Sequence, residues 1–250
     1  MRLAGKVAVV TGGTRGLGRV VAEAFAKEGC RVVCAGRNPG AAPDRDLAPL
    51  GASVSGGLGF LPVDVRDAES LRELMRGAYE TQGRLDVVVA NAGASRPGPA
   101  AGLDPAHWTE VVETNLTGTF LTVRAAVPYL ERDGGGRVIT LSSALATRVA
   151  AGSSAYAASK AGIEAFTRVT AVELAPSGIT VNCLSPGFID EGMGRELARN
   201  ERVWNHYRDK IAAGRAGEGA EVADAALFLA GDDSRYVNGH VLEVNGGLRW

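Results

Sequence analysis

Short apolar runs alternate with longer amphipathic stretches along this chain. Residues 6–10 form a β-branched apolar run, followed by Thr11-Gly12-Gly13-Thr14-Arg15-Gly16-Leu17-Gly18 and then by a stretch to Lys27 with Val20, Val21, Ala24 and Phe25 on one side. That pattern predicts a strand, a glycine-rich turn and a helix. Residues 31–35, 60–63, 85–90, 136–141, 179–184 and 240–244 read as further strands. Helices are expected over 68–82, from 105 past Asn115 to about 131, over 154–175, around 196–211 and over 221–229. Asp67 and Asp104 stand where N-caps belong, with Pro105 at a first helical position, and Pro176-Ser177-Gly178 is a stop signal. In the 154–175 helix, Ala157, Ala161, Phe166, Val169 and Val172 make an apolar face for the sheet or for another subunit. Residues 39–59 are rich in Pro and Gly, so any crossover helix there is short, about 44–50, and Pro49 argues even against that. Strands alternating with helices argue for an α/β, doubly wound parallel sheet of about seven strands with helices on both faces. No repeat or linker divides the chain, so one domain over 1–250 is expected, with the polar, irregular stretch 188–216 as a substrate lid.

Composition narrows the function. With 250 residues and a net charge of -1, the chain has no basic field to draw nucleic acid or an anionic membrane. No apolar stretch approaches a membrane span, and the start Met-Arg-Leu-Ala-Gly-Lys resembles neither a signal nor a transit peptide. Cys30, Cys34 and Cys183 lie in or beside strand-like runs and read as buried free thiols, which suits a reducing, cytoplasmic setting. His107, His206 and His240 have no partners at ligand offsets, so no metal is expected.

The chemistry concentrates between Leu141 and Glu164. A strand ends in Ser142-Ser143, a loop follows, and Tyr156 and Lys160 sit four residues apart on the next helix, one turn apart on a shared face. A hydroxyl, a phenol and an ammonium can then converge at the carboxyl end of a strand, where open α/β sheets bind ligands. The set suits proton exchange with a carbonyl or alcohol oxygen, the cation lowering the phenol's pKa. Taken alone the pair says little, because Tyr and Lys at this spacing are common on solvated helix faces. The turn Gly12 to Gly18, between a buried strand and a helix, is built for a dinucleotide's pyrophosphate. After the second strand, Gly36-Arg37-Asn38 lacks the carboxylate that would accept from an NAD ribose. Arg37 and Arg15 could instead clasp a 2′-phosphate. Asp64, at a strand end, could meet an adenine amino group. Asn91-Ala92-Gly93 would brace the central strands beside the cofactor. Asn115 is poorly placed in a helix by propensity, and either disturbs the local backbone or serves a polar network.

These motifs, in this order, resemble the short-chain dehydrogenase/reductase family across nearly the whole chain. The resemblance is carried by Thr11–Gly18, Asp64-Val65, Asn91-Ala92-Gly93, Asn115, Ser143, Tyr156-x-x-x-Lys160, Pro186-Gly187 and the tail Tyr236-Val237-Asn238-Gly239 through Val244-Asn245-Gly246-Gly247, and is nearest in look to 3-oxoacyl-carrier-protein reductases. It implies a Rossmann fold and an NADP(H)-preferring oxidoreductase that interconverts a ketone and a secondary alcohol. Tyr156 would be the general acid/base. Lys160 would lower its pKa and hold the nicotinamide ribose. Ser143, thirteen residues before the tyrosine, would bind the substrate oxygen, with Ser142 as rival, and Asn115 would hold a water linking Lys160 to solvent. Gly12, Thr14, Arg15, Gly16, Leu17, Gly18, Arg37, Asp64, Val65, Asn91, Ala92, Gly93, Tyr156, Lys160, Pro186, Gly187 and Ile189 would contact the cofactor. The family also implies a homo-oligomer, dimer or tetramer, formed through the two long helices, and a small-molecule or carrier-linked thioester substrate. Three features depart from the pattern: Glu191 stands where the family often has Thr; of the basic residues a carrier-protein reductase tends to show near the ends of the two long helices, Arg132 could serve as one but Ser177 stands where Arg often does; and the segment after Arg37 is thin. A non-catalytic NADP(H)-binding sensor or scaffold is the alternative on the same fold.

Overall fold

The computed structural model describes residues 1–39, 47–49, 57–198 and 201–249. Among the described residues, eight parallel strands form one sheet: β1 (Val7–Thr11), β2 (Arg31–Gly36), β3 (Ala48–Pro49), β4 (Leu58–Pro62), β5 (Val87–Ala90), β6 (Gly136–Leu141), β7 (Ile179–Pro186) and β8 (Val241–Val244). Their spatial order is β3-β4-β2-β1-β5-β6-β7-β8. Seven match the strands the pattern predicts. The eighth, β3, is a two-residue edge pairing with Gly59 and Phe60, in the segment for which the sequence offers a short helix. Most of that helix, 44–50, lies outside the described residues, but Ala48 and Pro49 are extended.

The helices are α1 (Gly16–Lys27), α2 (Ala68–Gln82), α3 (Pro105–Val112), α4 (Gly118–Arg132), α5 (Ser154–Leu174), α6 (Met193–Ala198), α7 (Glu201–Arg208) and α8 (Gly219–Ala230). Side-chain alternation along the strands builds two cores, one per face. Ala8, Val10, Val32, Cys34, Val87, Val89 and Ile139 pack with Phe25 of α1 and Val222, Ala226 and Leu229 of α8. Val9, Val33, Val88, Val138 and Val181 face the other way, onto Leu71 and Met75 of α2, Val123 and Leu130 of α4 and Ala171 of α5. The predicted caps form, with Asp67 accepting from the Glu69 amide and Asp104 from the Ala106 amide.

Two predicted helices differ in detail. The long one from 105 is split by a π-turn over Glu113–Thr117, so α3 and α4 meet at Asn115. The one around 196–211 is helical over Met193–Ala198 (α6) and Glu201–Arg208 (α7), so among the described residues it starts and ends earlier than expected. The apolar face proposed for α5 is divided, with Phe166 packed on the second core and the two valines turned outward. Ala155, Ile163, Thr167 and Ala171 are buried, while Val169 and Val172 stay 58% and 75% exposed. The strand order reverses between β1 and β5, which opens a crevice at their carboxyl ends.

Candidate active site

The glycine-rich turn lies in that crevice. Asn91, just past β5, donates from Nδ2 to the Thr11 and Gly12 carbonyls at 2.9 and 3.2 Å, and its amide meets Thr11 Oγ1 at 3.2 Å. Asn91 therefore braces β1 against β5. The close fit admits only glycine at position 18, where a Cβ would sit 2.3 Å from Asn91 Nδ2 and 2.4 Å from the Gly12 carbonyl oxygen. Gly12 itself has φ +65°, in the left-handed region. Helix α1 starts here with no side-chain cap and no acidic residue in its first turn. Its first amides have no intrahelical acceptor and stand at the positive end of the helix dipole, a site suited to a diphosphate. Arg15 and Arg37 are both exposed near the rim and form no ion pair among the described residues.

Asp64 is less open than the sequence suggests. Arg66 clasps its carboxylate, with Nη2 2.6 Å from Oδ2, and this hydrogen-bonded pair pulls the Asp64 pKa down to about 2. Val65 is buried against Gly118. Leu17 and Ala92 pack on the two cores, Thr14 borders Gly36, and Ile189 is buried beyond Pro186-Gly187.

Four side chains converge beyond the ends of β5 and β6. Burial raises the pKa of the Tyr156 phenol, and a hydrogen bond from Ser143 acts in the opposite direction. The Lys160 ammonium lies 5.6 Å from the Tyr156 ring centroid and donates to the Leu141 carbonyl at 2.6 Å. A Cβ added to Gly93 would be 3.4 Å from Asn115 Oδ1 and 3.8 Å from Lys160 Nζ, which puts all three at one place. Asn115 is fully buried: Oδ1 accepts from the Ala94 amide at 2.7 Å, and Nδ2 donates to the Ala94 carbonyl and to Ser159 Oγ, each at 3.0 Å. Both sequence alternatives for Asn115 therefore hold, since the backbone is disturbed into a π-turn and the amide serves a polar network. The two serines point different ways. Ser142 Oγ turns inward to Glu164 Oε1 and the Lys160 carbonyl, while Ser143 faces Tyr156 and accepts from the Leu145 amide.

One expectation needs correction. Lys160 is not what lowers the Tyr156 pKa here, because burial dominates and Ser143 supplies the opposing contribution. The reason is local: the ammonium is turned to the Leu141 carbonyl, and burial pushes its own pKa down to about 8. One contributor escaped the sequence reading. Ser159 donates to the Tyr156 carbonyl at 2.7 Å and receives Asn115, so it joins the π-turn to α5. Its place between Tyr156 and Lys160, three residues past the tyrosine, was the available signal.

The described residues of the 188–217 segment approach both the glycine-rich turn and the serine loop, with Gly192 beside Gly16 and Phe188, Trp204 and Ile211 packed with Ala144. Its ends are tied by the Asp190 amide to the Gly217 carbonyl and the Gly217 amide to the Phe188 carbonyl. Glu191 is engaged within the segment, 2.8 Å from Arg195 Nη2, with Oε1 accepting from the Gly192 amide. Among the described residues no cluster of potential metal ligands exists, and no helix is long and apolar enough to cross a membrane. Cys30, Cys34 and Cys183 are buried and free, with the pKa of Cys30 and Cys34 raised to about 12 by burial.

Comparison with known proteins places this geometry. Residues 12–249 match the family model described as Enoyl-(Acyl carrier protein) reductase. The 3-oxoacyl-[acyl-carrier-protein] reductase FabG of Escherichia coli (strain K12) is 36% identical over 249 residues, 99% of each chain. FabG of Thermotoga maritima is 35% identical over 251 residues, again 99% of each. The crystal structure of levodione reductase superposes with a TM-score of 0.87 at 27% identity, covering 98% of both chains. A short-chain type dehydrogenase/reductase from Mycobacterium ulcerans gives 0.91 at 28% identity, covering 99% of this chain and 91% of that one. The chain belongs to the short-chain dehydrogenase/reductase family of oxidoreductases.

Proposed function

We propose that this protein is an NADP(H)-dependent reductase that interconverts a ketone and a secondary alcohol, with Tyr156 as general acid/base. The observation that carries this reading is the convergence of Ser143, Tyr156, Lys160 and Asn115 beside the uncapped start of α1. The nicotinamide, when bound, supplies or takes the hydride. The chain's own groups do the rest. Ser143 holds the substrate oxygen, and Tyr156 gives it a proton in reduction and recovers it in oxidation. The phenol's raised pKa keeps it protonated at neutral pH, the form that reduction needs. Lys160, able to exchange a proton near pH 8, reprotonates the phenol and holds ribose hydroxyls. Asn115, whose Oδ1 stands with the Lys160 ammonium beside Gly93, would hold a water that links Lys160 to solvent. Gly12, Gly16 and Gly18 leave room for the diphosphate, and Arg15 and Arg37 favour a 2′-phosphate.

The substrates for which two of these relatives are named, a carrier-bound 3-oxoacyl group and levodione, are carbonyl compounds. One observation favours a free ketone over a carrier-linked one. Ser177 donates to Glu131 Oε1 at 2.7 Å, so a serine–carboxylate pair stands where a carrier-protein reductase often has Arg, with Arg132 beside it as the cation at the end of α4. The exposed Val169, Val172 and Phe120 on the two long helices support a homo-oligomer, and the free thiols support a reducing, cytoplasmic setting.

The test is NADPH oxidation with a 3-oxoacyl thioester beside cyclic and aryl ketones, repeated with NADH, in wild type and Tyr156→Phe. Turnover that the substitution abolishes while NADPH binding persists supports the enzyme. NADPH binding with no turnover on any carbonyl would leave a sensor or scaffold.

A further inference from the structure

The loop between Ser143 and Tyr156 is anchored by one of its own side chains to the last strand of the sheet. Ser143 is followed by a tight turn over Ala144–Ala146, in which the Ala146 amide donates to the Ser143 carbonyl at 2.8 Å and the Leu145 amide to Ser143 Oγ at 3.3 Å. Arg148 closes that turn, its own amide donating to the Ala144 carbonyl at 3.0 Å. Its side chain then leaves the loop. Nε donates to the Leu248 carbonyl at 3.0 Å, and Nη1 and Nη2 take Glu243 Oε1 and Oε2 of β8 at 3.1 and 2.9 Å. The guanidinium thus uses Nη1 and Nη2 on one carboxylate and Nε on a backbone oxygen, with Nη1 also 3.3 Å from Thr147 Oγ1 in the loop itself, a geometry that an ammonium cannot reproduce.

The acceptor is itself fixed. Leu248 pairs with Ile211 in an antiparallel bridge, the Ala212 amide donates to the Gly247 carbonyl, and the Arg249 amide donates to the Lys210 carbonyl. Leu248, Ile211 and Ala144 form one buried cluster, with Phe188 and Trp204 packed against it. The Arg148 side chain is only 17% exposed, although its partner Glu243 is 42% exposed, so the anchor rests on the fork geometry and the Leu248 carbonyl as much as on the charge pair.

We propose that Arg148 is a positioning residue, whose fork on Glu243 and Leu248 holds the turn that aims the Ser143 hydroxyl at the substrate oxygen. This rests on the role given to Ser143 above. Arg148 touches no reacting atom. It acts by tying the serine turn to the last strand and to the base of the lid, so substrate orientation depends on contacts remote from the chemistry.

The experiment compares wild type, Arg148→Ala, Arg148→Lys, Glu243→Gln and the double variant Arg148→Ala/Glu243→Gln in the intact protein. Its first readout needs no turnover: amide hydrogen exchange at 144–147 is expected to quicken in Arg148→Ala while amides of β1, β5 and β6 keep their protection. The second is kinetic, on any ketone the wild type reduces. Loss of aim costs kcat about tenfold, the NADPH dissociation constant stays put, Arg148→Lys retains only part of the wild-type rate, and the double variant is no worse than Arg148→Ala. If Arg148→Ala does not fold, Arg148→Lys and Glu243→Gln carry the same comparison. Unchanged exchange together with kcat within about twofold of wild type overturns the proposal, as do losses that multiply in the double variant. Quickened exchange in a protein that reduces no carbonyl supports the anchor and removes the enzymatic reading instead.

Discussion

At the scale of single residues, the site costs stability to hold its cation. Unfolded, Lys160 keeps its proton up to about pH 10.5; folded, burial lets it go near 8. Between those values the unfolded chain holds more protons, so stability contributed by this residue rises with pH; below about 8 the whole cost is borne. A shift of that size corresponds to about 3 kcal/mol, reduced by about 1 for the bond to the Leu141 carbonyl. Lys160→Met is therefore expected to unfold at higher urea than wild type at pH 7, by about 2 kcal/mol, with the gap closing toward pH 10. A gap that stays constant across this range would refute the argument. Arg37 gives a second residue-level expectation. Hydrogen bonds to a charged phosphate contribute roughly 1.5–3 kcal/mol, so Arg37→Ala should lower kcat/KM for NADPH about ten- to a hundredfold and leave NADH nearly unchanged. Equal losses for both cofactors would place Arg37 outside the 2′-phosphate site. For Glu191, already occupied by Arg195, substitution to Thr tests by NADPH titration whether its charge weakens cofactor binding; an unchanged dissociation constant would show that the ion pair has removed the repulsion.

Among the elements, the π-turn between α3 and α4 is the one whose irregularity has a purpose. The wider turn carries the Asn115 side chain inward, where its amide satisfies both the amide and the carbonyl of Ala94. Asn115→Leu leaves those groups and Ser159 Oγ without their partner in a buried place. The expected loss is about 2–4 kcal/mol, read as a lower urea midpoint with unchanged slope, together with reduced kcat. A stable Asn115→Leu protein with wild-type turnover would sink the network. Helix α5 shows the same economy. It gives the sheet small and β-branched residues, Ala155, Ile163, Thr167 and Ala171, and gives the site Tyr156 and Lys160. Thr140 and Thr167 meet at 2.7 Å beneath it, so polar groups as well as apolar ones seat this helix.

For the whole molecule, the side of α5 turned from the sheet matters most. Val169 and Val172 are exposed there, and Phe120 of α4 meets Phe166 edge-on at 6.2 Å between ring centroids. Apolar exposure on two neighbouring helices is the ground for the homo-oligomer proposed above. The wild type is expected to sediment as a dimer or tetramer, and Val172→Glu to shift it to a smaller species. A monomeric wild type would show that the face serves some other end.

Much of this was legible from residues in order. The strand runs, the glycine-rich turn, the caps at Asp67 and Asp104, and the Ser143, Tyr156 and Lys160 spacing all follow from local rules: β-branched runs favour strands, left-handed turns need glycine, and four residues make one helical turn. Sequence alone thus determined the fold class and the chemical groups at the site. What it could not reach depends on partners distant along the chain. Lys160 turning to Leu141, Asp64 held by Arg66, the outward face of α5, the Asn115 bond to Ser159 and the Arg148 anchor on Glu243 and Leu248 were decided by packing. A propensity records what one segment prefers, whereas a side chain's acceptor, and with it its burial and pKa, exists only after the segments have met.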